Sequence, residues 1–127
     1  MAVHFTDSFK AWVVDVIDGA TRAGKTDMKF GAWGTGAGTT GETDTTLFTE
    51  ASETRVTGTM SQQTTTITGD TYRLVWTMTA DGTKTVTNAG YFDASTSGNL
   101  GIKGDHAGVP VLLNDSIEYT ANLHVDQ

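Results

Sequence analysis

The run GATRAGKT, Gly19 to Thr26, has the spacing G-x-x-x-x-G-K-[ST] of a phosphate-binding loop. In such a loop glycine-rich backbone N–H groups wrap the phosphates, the lysine neutralises them and the hydroxyl holds Mg²⁺. The chemistry works only where a buried strand enters the loop and a helix leaves it, so that the helix N-terminus faces the anion. Here the flanks read the other way round. Upstream, Phe9, Trp12, Val13, Val16, Ile17 and Ala20 fall at i, i+3, i+4, i+7, i+8 and i+11, an arc of roughly 140° on a helix. Downstream, five glycines between Gly31 and Gly41 would each cost about 1 kcal/mol in a helix interior. The motif therefore reads as a helix-to-strand connection with Lys25 in solvent.

Other chemistry-bearing residues are sparse. Glu42, Asp44 and Glu50 lie near one another and could offer carboxylates to Ca²⁺, but the EF-hand pattern is missing and solvated loop carboxylates are the simpler reading. His4, His106 and His124 are far apart and lack ligand spacing; His124 falls on the outward face of the last strand, where a solvated imidazole is expected. No G-x-S-x-G elbow occurs, and G-T-G-A-G is not the dinucleotide fingerprint. The expectation is a non-enzymatic protein with no catalytic, cofactor-binding or metal residues.

Composition narrows the partners. The 127 residues fit one domain, 1–127. Without cysteine there is neither a disulfide nor a thiolate metal site. The net charge of −7, with basic residues scattered, argues against nucleic acid. No charged segment leads into a long apolar run, so neither a signal peptide nor a membrane helix is expected. Thr makes up about a fifth of the chain, and its branched Cβ and hydroxyl suit half-exposed strands.

The elements follow from periodicity. A helix spans about 6–19, capped by Thr6 or Asp7 and ended by Gly19 or Gly24. MKFGAW (28–33) is a short strand, and the glycine-rich segment of about 33–46 is a long flexible loop. Alternation then places Val56, Gly58 and Met60 on one face, and Tyr72, Leu74, Trp76 and Met78 on one face of the clearest strand. Ala80-Asp81-Gly82 reads as the turn of a hairpin whose return strand is TKTVTNAGYFDAS. Leu100 and Ile102 share a face; Ile117, Tyr119, Ala121, Leu123 and Val125 point inward from the last strand. The fold class is mainly β: an antiparallel β-sandwich over about 28–127 with one N-terminal amphipathic α-helix.

Two places invite contact with another molecule. The apolar run Val109, Pro110, Val111, Leu112 and Leu113 precedes an Asn114-Asp115 turn, and reads equally as an exposed protein contact or a buried strand end. Trp33, beside the glycine loop, divides the same way between contact and core. A sugar-binding module would use Trp33, Tyr72 or Tyr91 as an exposed platform, but Tyr72 shares its strand face with the expected core.

Two segments, WGTGAGTTGETDTTLFTEASETRVTGT and TVTNAGYFDASTSGNL, together with the FTDS that opens the helix, resemble a group of small virion structural proteins of tailed bacteriophages. The chain differs from that group at Asn88, where Glu is usual, and at Tyr91, where Leu is usual. The resemblance implies a structural protein of the phage particle, assembled in the host cytoplasm. Its expected role is a capsid decoration (cement) protein on the outer head surface; a tail-, neck- or fibre-associated protein is the alternative. It further implies the major capsid protein or other virion proteins as partners, and a homo-oligomer such as a trimer.

Overall fold

The alternation in TYRLVWTMT generates the strand around which the chain folds. A computed structural model describes residues 3–19 and 26–125. In chain order it contains β1 (Val3–Phe5), α1 (Asp7–Ile17), β2 (Phe30–Gly34), β3 (Val56–Thr57) and β4 (Thr59–Gln63). These are followed by β5 (Thr71–Thr79), β6 (Lys84–Phe92), β7 (Leu100–Val111) and β8 (Ser116–His124). The strands form two antiparallel sheets, ordered β1-β7-β6-β2-β3 and β4-β5-β8. Leu74, Trp76 and Met78 of the smaller sheet meet Trp33, Val86, Tyr91 and Ile102 of the larger one in a common buried cluster. The fold is thus mainly β, a sandwich of two sheets with one helix among the described residues. That helix is too short to cross a membrane.

Thr6 starts α1 by accepting a hydrogen bond from the Phe9 N–H. Its own hydroxyl is fully buried and donates to the Leu100 carbonyl, which pins the helix to the end of β7. The helix ends at Ile17, two residues before the expected end at about 19, and is capped by Asp18, whose N–H reaches the Val14 carbonyl. The apolar stripe is only partly used. Phe9 is buried, Trp12 and Val13 pack against the core, and Ile17 is 77 % exposed. Ala20 and Gly24 lie outside the described residues.

Four expectations need correction. The sandwich begins at Val3, not near residue 28, because β1 pairs with β7 at Val3–Gly104 and Phe5–Ile102. The Ala80-Asp81-Gly82 turn does not close a hairpin: β5 pairs with β4 and β8, whereas β6 pairs with β2 and β7. The turn therefore carries the chain from one sheet to the other. Leu100 and Ile102 do not share a face. The β6–β7 register shifts between Gly90 and Phe92, so that Gly101 and Ile102 together stand opposite Tyr91. This bulge turns Ile102 toward the main core and leaves Leu100 and Lys103 on the opposite side.

The fourth correction concerns the glycine-rich segment, which packs against the larger sheet instead of looping away from it. Thr35 and Gly36 donate to the Thr49 and Phe48 carbonyls, and Ala51 donates to that of Trp33. Thr40 N–H bonds Asp105 Oδ1 at 2.9 Å. Leu47 packs with Ala32, Phe92 and Leu100 in a second buried cluster on the outer face of the larger sheet. The segment from 35 to 55 is a third layer. Gly34 allows it to approach, since a Cβ there would lie 2.5 Å from the Phe48 carbonyl oxygen.

Between the sheets Gly31 allows a close approach, since a Cβ there would sit 2.2 Å from Trp76 Cγ. Gly31→Ala should lower unfolding stability by about 1–3 kcal/mol, as overpacking of a filled core does. Urea unfolding followed by tryptophan fluorescence measures it; an unchanged midpoint contradicts this packing.

Candidate functional site

The charged side chains that could do chemistry are engaged with one another, and each pair holds a loop. Lys103, fully buried, extends from β7 to Asp44 Oδ2 at 2.7 Å, with its ammonium 3.2 Å from the centre of the Phe48 ring. Burial opposes ionisation of Asp44, but the Lys103 ammonium and the Gly41 N–H outweigh it and hold the carboxyl below its usual range. Arg55 grips Glu50 through two bonds of 2.9 Å, donates to the Ala94 and Ser97 carbonyls, and stacks 3.5 Å over Phe92. One guanidinium thus joins the covering layer to the β6–β7 loop.

A third group sits at one end of the sandwich. Glu53 accepts from the Trp33 indole at 2.6 Å, from the Asp81 N–H at 2.9 Å and from Lys84. Lys84 also bonds Asp81 at 2.7 Å, and with the Ser52 hydroxyl it holds the Asp81 carboxyl at about 2. At the opposite end Asp70 accepts the Thr65, Thr66 and Ile67 N–H groups and lies 3.0 Å from His124 Nε2. The Ile67 and Thr65 N–H groups are the main reason its carboxyl lies far below the usual range.

These pairings revise the readings of Glu42, Asp44, Glu50 and His124. Glu42 bonds Lys10 at 2.7 Å and each of the other two carboxylates has its own cation. His124 is bonded to Asp70 rather than simply solvated. Among the described residues no three His, Cys, Asp or Glu side chains gather as metal ligands. Residues 20–25 of the Gly19–Thr26 motif lie outside the described residues. Its described flanks are α1 before and β2 after, the inverse of the order that phosphate binding needs.

The contact candidates separate cleanly. Trp33 is 1 % exposed and Val111 is 3 % exposed, so neither is available to a partner; Trp33 belongs to the core and orients Glu53. Val109 and Pro110 on β7 are exposed, and Leu112 and Leu113 beyond its end are each 61 % exposed. The corner that carries the leucines is rigidly tied. Asn114 takes a left-handed φ of 73° and donates to the Ala80 carbonyl, while Ala80 donates to that of Asp115. Asp115 Oδ2 accepts the Leu112 N–H at 2.8 Å. The 80–82 turn, itself bonded to Glu53, thereby fixes the apolar corner.

Of the three aromatics a sugar-binding platform would use, Trp33 and Tyr91 are buried, and Tyr72 is half-buried with its hydroxyl donating to the Met28 carbonyl. Asn88, at mid-strand in β6, is also buried. Its side chain brackets Phe48, accepting from the N–H and donating to the carbonyl at 3.0 Å each. A carboxylate could accept there but not donate. Sequence patterning missed Lys103 because alternation places it on the outer face, where a lysine reads as solvated, and only the covering segment buries it there. No family model matches the chain, and no curated protein or solved structure matches it either.

Two outcomes follow from the charge pairs. Arg55→Ala should cost about 3 kcal/mol of unfolding stability by leaving Glu50 without its partner, and Arg55→Lys should recover only part of that loss. Equal stability of all three proteins in urea refutes the bridging role. Because Asp70 and Asp81 release protons more readily when folded than unfolded, stability rises with pH. Their contribution is complete above the ordinary aspartate value of 3.8 and is lost as pH falls through it, toward about 2 for Asp81. The stability gap between the wild type and Asp70→Asn should therefore narrow between about pH 4 and pH 2; a constant gap contradicts this.

Proposed function

We infer that the protein is a structural component of a tailed-phage particle, acting as a decoration protein that binds the outer surface of the assembled head and stiffens it. The observation that carries this reading is the apolar corner of Val109, Pro110, Leu112 and Leu113, exposed and fixed in place on an acidic, Thr-rich chain. A held apolar corner suits protein contact because it meets a partner without first being ordered. Covering the two leucines would contribute about 2–4 kcal/mol. The remainder of a stable contact, on the order of 1,600 Å² in all, would come from the surrounding strands and loops. Many equivalent sites on a capsid then add strength without tight individual binding.

The internal charge pairs support the same reading. A protein that reinforces a pressurised shell must resist local opening, and here Lys103, Arg55 and Lys84 each join segments distant in sequence. The resemblance of the 33–59 and 85–100 segments to phage virion proteins supplies the biological setting. Nothing in this reading requires catalysis or a cofactor.

Mixing the purified protein with expanded, undecorated heads tests it. Saturable binding with a gain in heat resistance is the expected result. Leu112→Asp combined with Leu113→Asp should weaken binding by about thirtyfold or more, with the variant's own melting temperature nearly unchanged. Failure to bind heads, or equal binding by the variant, removes the decoration role; recovery with tails or necks at low copy number would assign it there.

A further inference from the structure

The two sheets leave edges of unequal character. β1 and β3 are short, with three and two residues, and β4 has five. Among the described residues the half of β7 beyond Gly104 has no strand on its outer side, but it contains Gly108 and Pro110, and proline removes a donor. β8 differs from all of these. It is nine residues long and pairs with β5 through nine successive positions without a register shift. Among the described residues it has no strand on its other side, and it contains no Pro, Gly or Lys. Protected edges are the rule in natural sheets, because an open edge recruits another strand.

Its bonding to β5 sets which backbone groups remain at the open edge. Val125 N–H donates to the Asp70 carbonyl and Ala80 N–H donates to that of Asp115. In an antiparallel ladder hydrogen-bonded pairs recur every second residue, so Ile117, Tyr119, Ala121 and Leu123 bond β5. Ser116, Glu118, Thr120, Asn122 and His124 therefore present their N–H and C=O groups at the open edge.

We propose that the β8 edge pairs with β8 of a second copy of this chain, antiparallel across a twofold axis at Thr120, to join two three-stranded sheets into one. That register uses the whole strand and brings the outward-bonding residues opposite one another, for about ten backbone hydrogen bonds. It is also self-complementary. Ile117 of one copy faces Leu123 of the other, and Tyr119 faces Ala121, all on the inward side. Ser116 faces His124, Glu118 faces Asn122 and Thr120 faces its own copy on the outward side. No like charges meet, whereas a register centred on Glu118 would oppose two carboxylates.

The inward side chains of β8 are only half-buried in the free chain. Tyr119 and Ala121 line a cleft of about 340 Å³ with Val3, Ile102 and His106, on the open side between the sheets. A second β8 would flank that cleft with its own Ala121 and Tyr119. The interface is isologous and closes as a dimer. It concerns the free protein and does not rest on the particle role.

The chain has no cysteine, which makes the test direct. Sedimentation equilibrium should give twice the chain mass of 13.4 kDa. Thr120→Cys should oxidise to a covalent dimer, and Thr77→Cys, on the same outward face but on the central strand, should not. Thr120→Glu should weaken association at least tenfold with an unchanged circular dichroism spectrum, since it sets two carboxylates together on the axis. A monomer or trimer, equal cross-linking of both cysteine variants, or a Thr120→Glu protein that remains as dimeric as the wild type would overturn the proposal.

Discussion

An ammonium with no solvent exposure has to be matched by its surroundings, because an unpaired buried charge costs several kcal/mol. Lys103 imposes that constraint on this fold. Its partners, Asp44 and the Phe48 ring, both belong to the segment between β2 and β3, so the charge is satisfied only when that segment lies against the larger sheet. Unpaired, Lys103 would penalise every conformation in which the segment lifts away. The long glycine-rich connection is thereby converted into a layer of the structure, with Leu47 sealing the cluster beneath it.

Arg55 acts alongside Lys103 from the far end of the same segment. Its fork holds Glu50 while its remaining N–H groups and flat face engage the β6–β7 loop and Phe92. Together the two cations bracket the covering layer. Lys84, Glu53 and Asp81 then tie that layer to the turn that crosses between the sheets. Through the Ala80 hydrogen bonds, this chain of contacts ends at the exposed leucines of the 112–115 corner. Core packing, loop order and a presented apolar surface are thus linked in sequence, and a change at one is transmitted to the next.

Much of this was readable from periodicity, and the parts that were not share a cause. The strands β5 and β8 announce themselves by strict alternation, and Thr6 by its position before an apolar helical stripe. Pairing was less legible: Ala80-Asp81-Gly82 has the composition of a hairpin turn, yet it joins different sheets because β4 and β8 take both edges of β5. The bulge at Gly101–Ile102 reversed the face of Leu100, and no local pattern signals a bulge. The order of the glycine-rich segment depends on contacts with residues far along the chain, such as Asp105 with Thr40 and Asn88 with Phe48. Its glycines look like freedom in sequence; at Gly34 they serve close approach. Of the apolar run 109–113, the surface half was legible as a candidate contact, while the burial of Val111 depends on where β7 ends.

The claim that most of this account rests on is that the 35–55 segment is a fixed layer held down by Lys103. Native-state hydrogen exchange of the Gly36, Phe48 and Ala51 amides, compared with amides in the middle of β6, tests it most directly. The account predicts protection of the same order in both regions. Exchange of the segment at the rate of an unstructured peptide while β6 stays protected would contradict it.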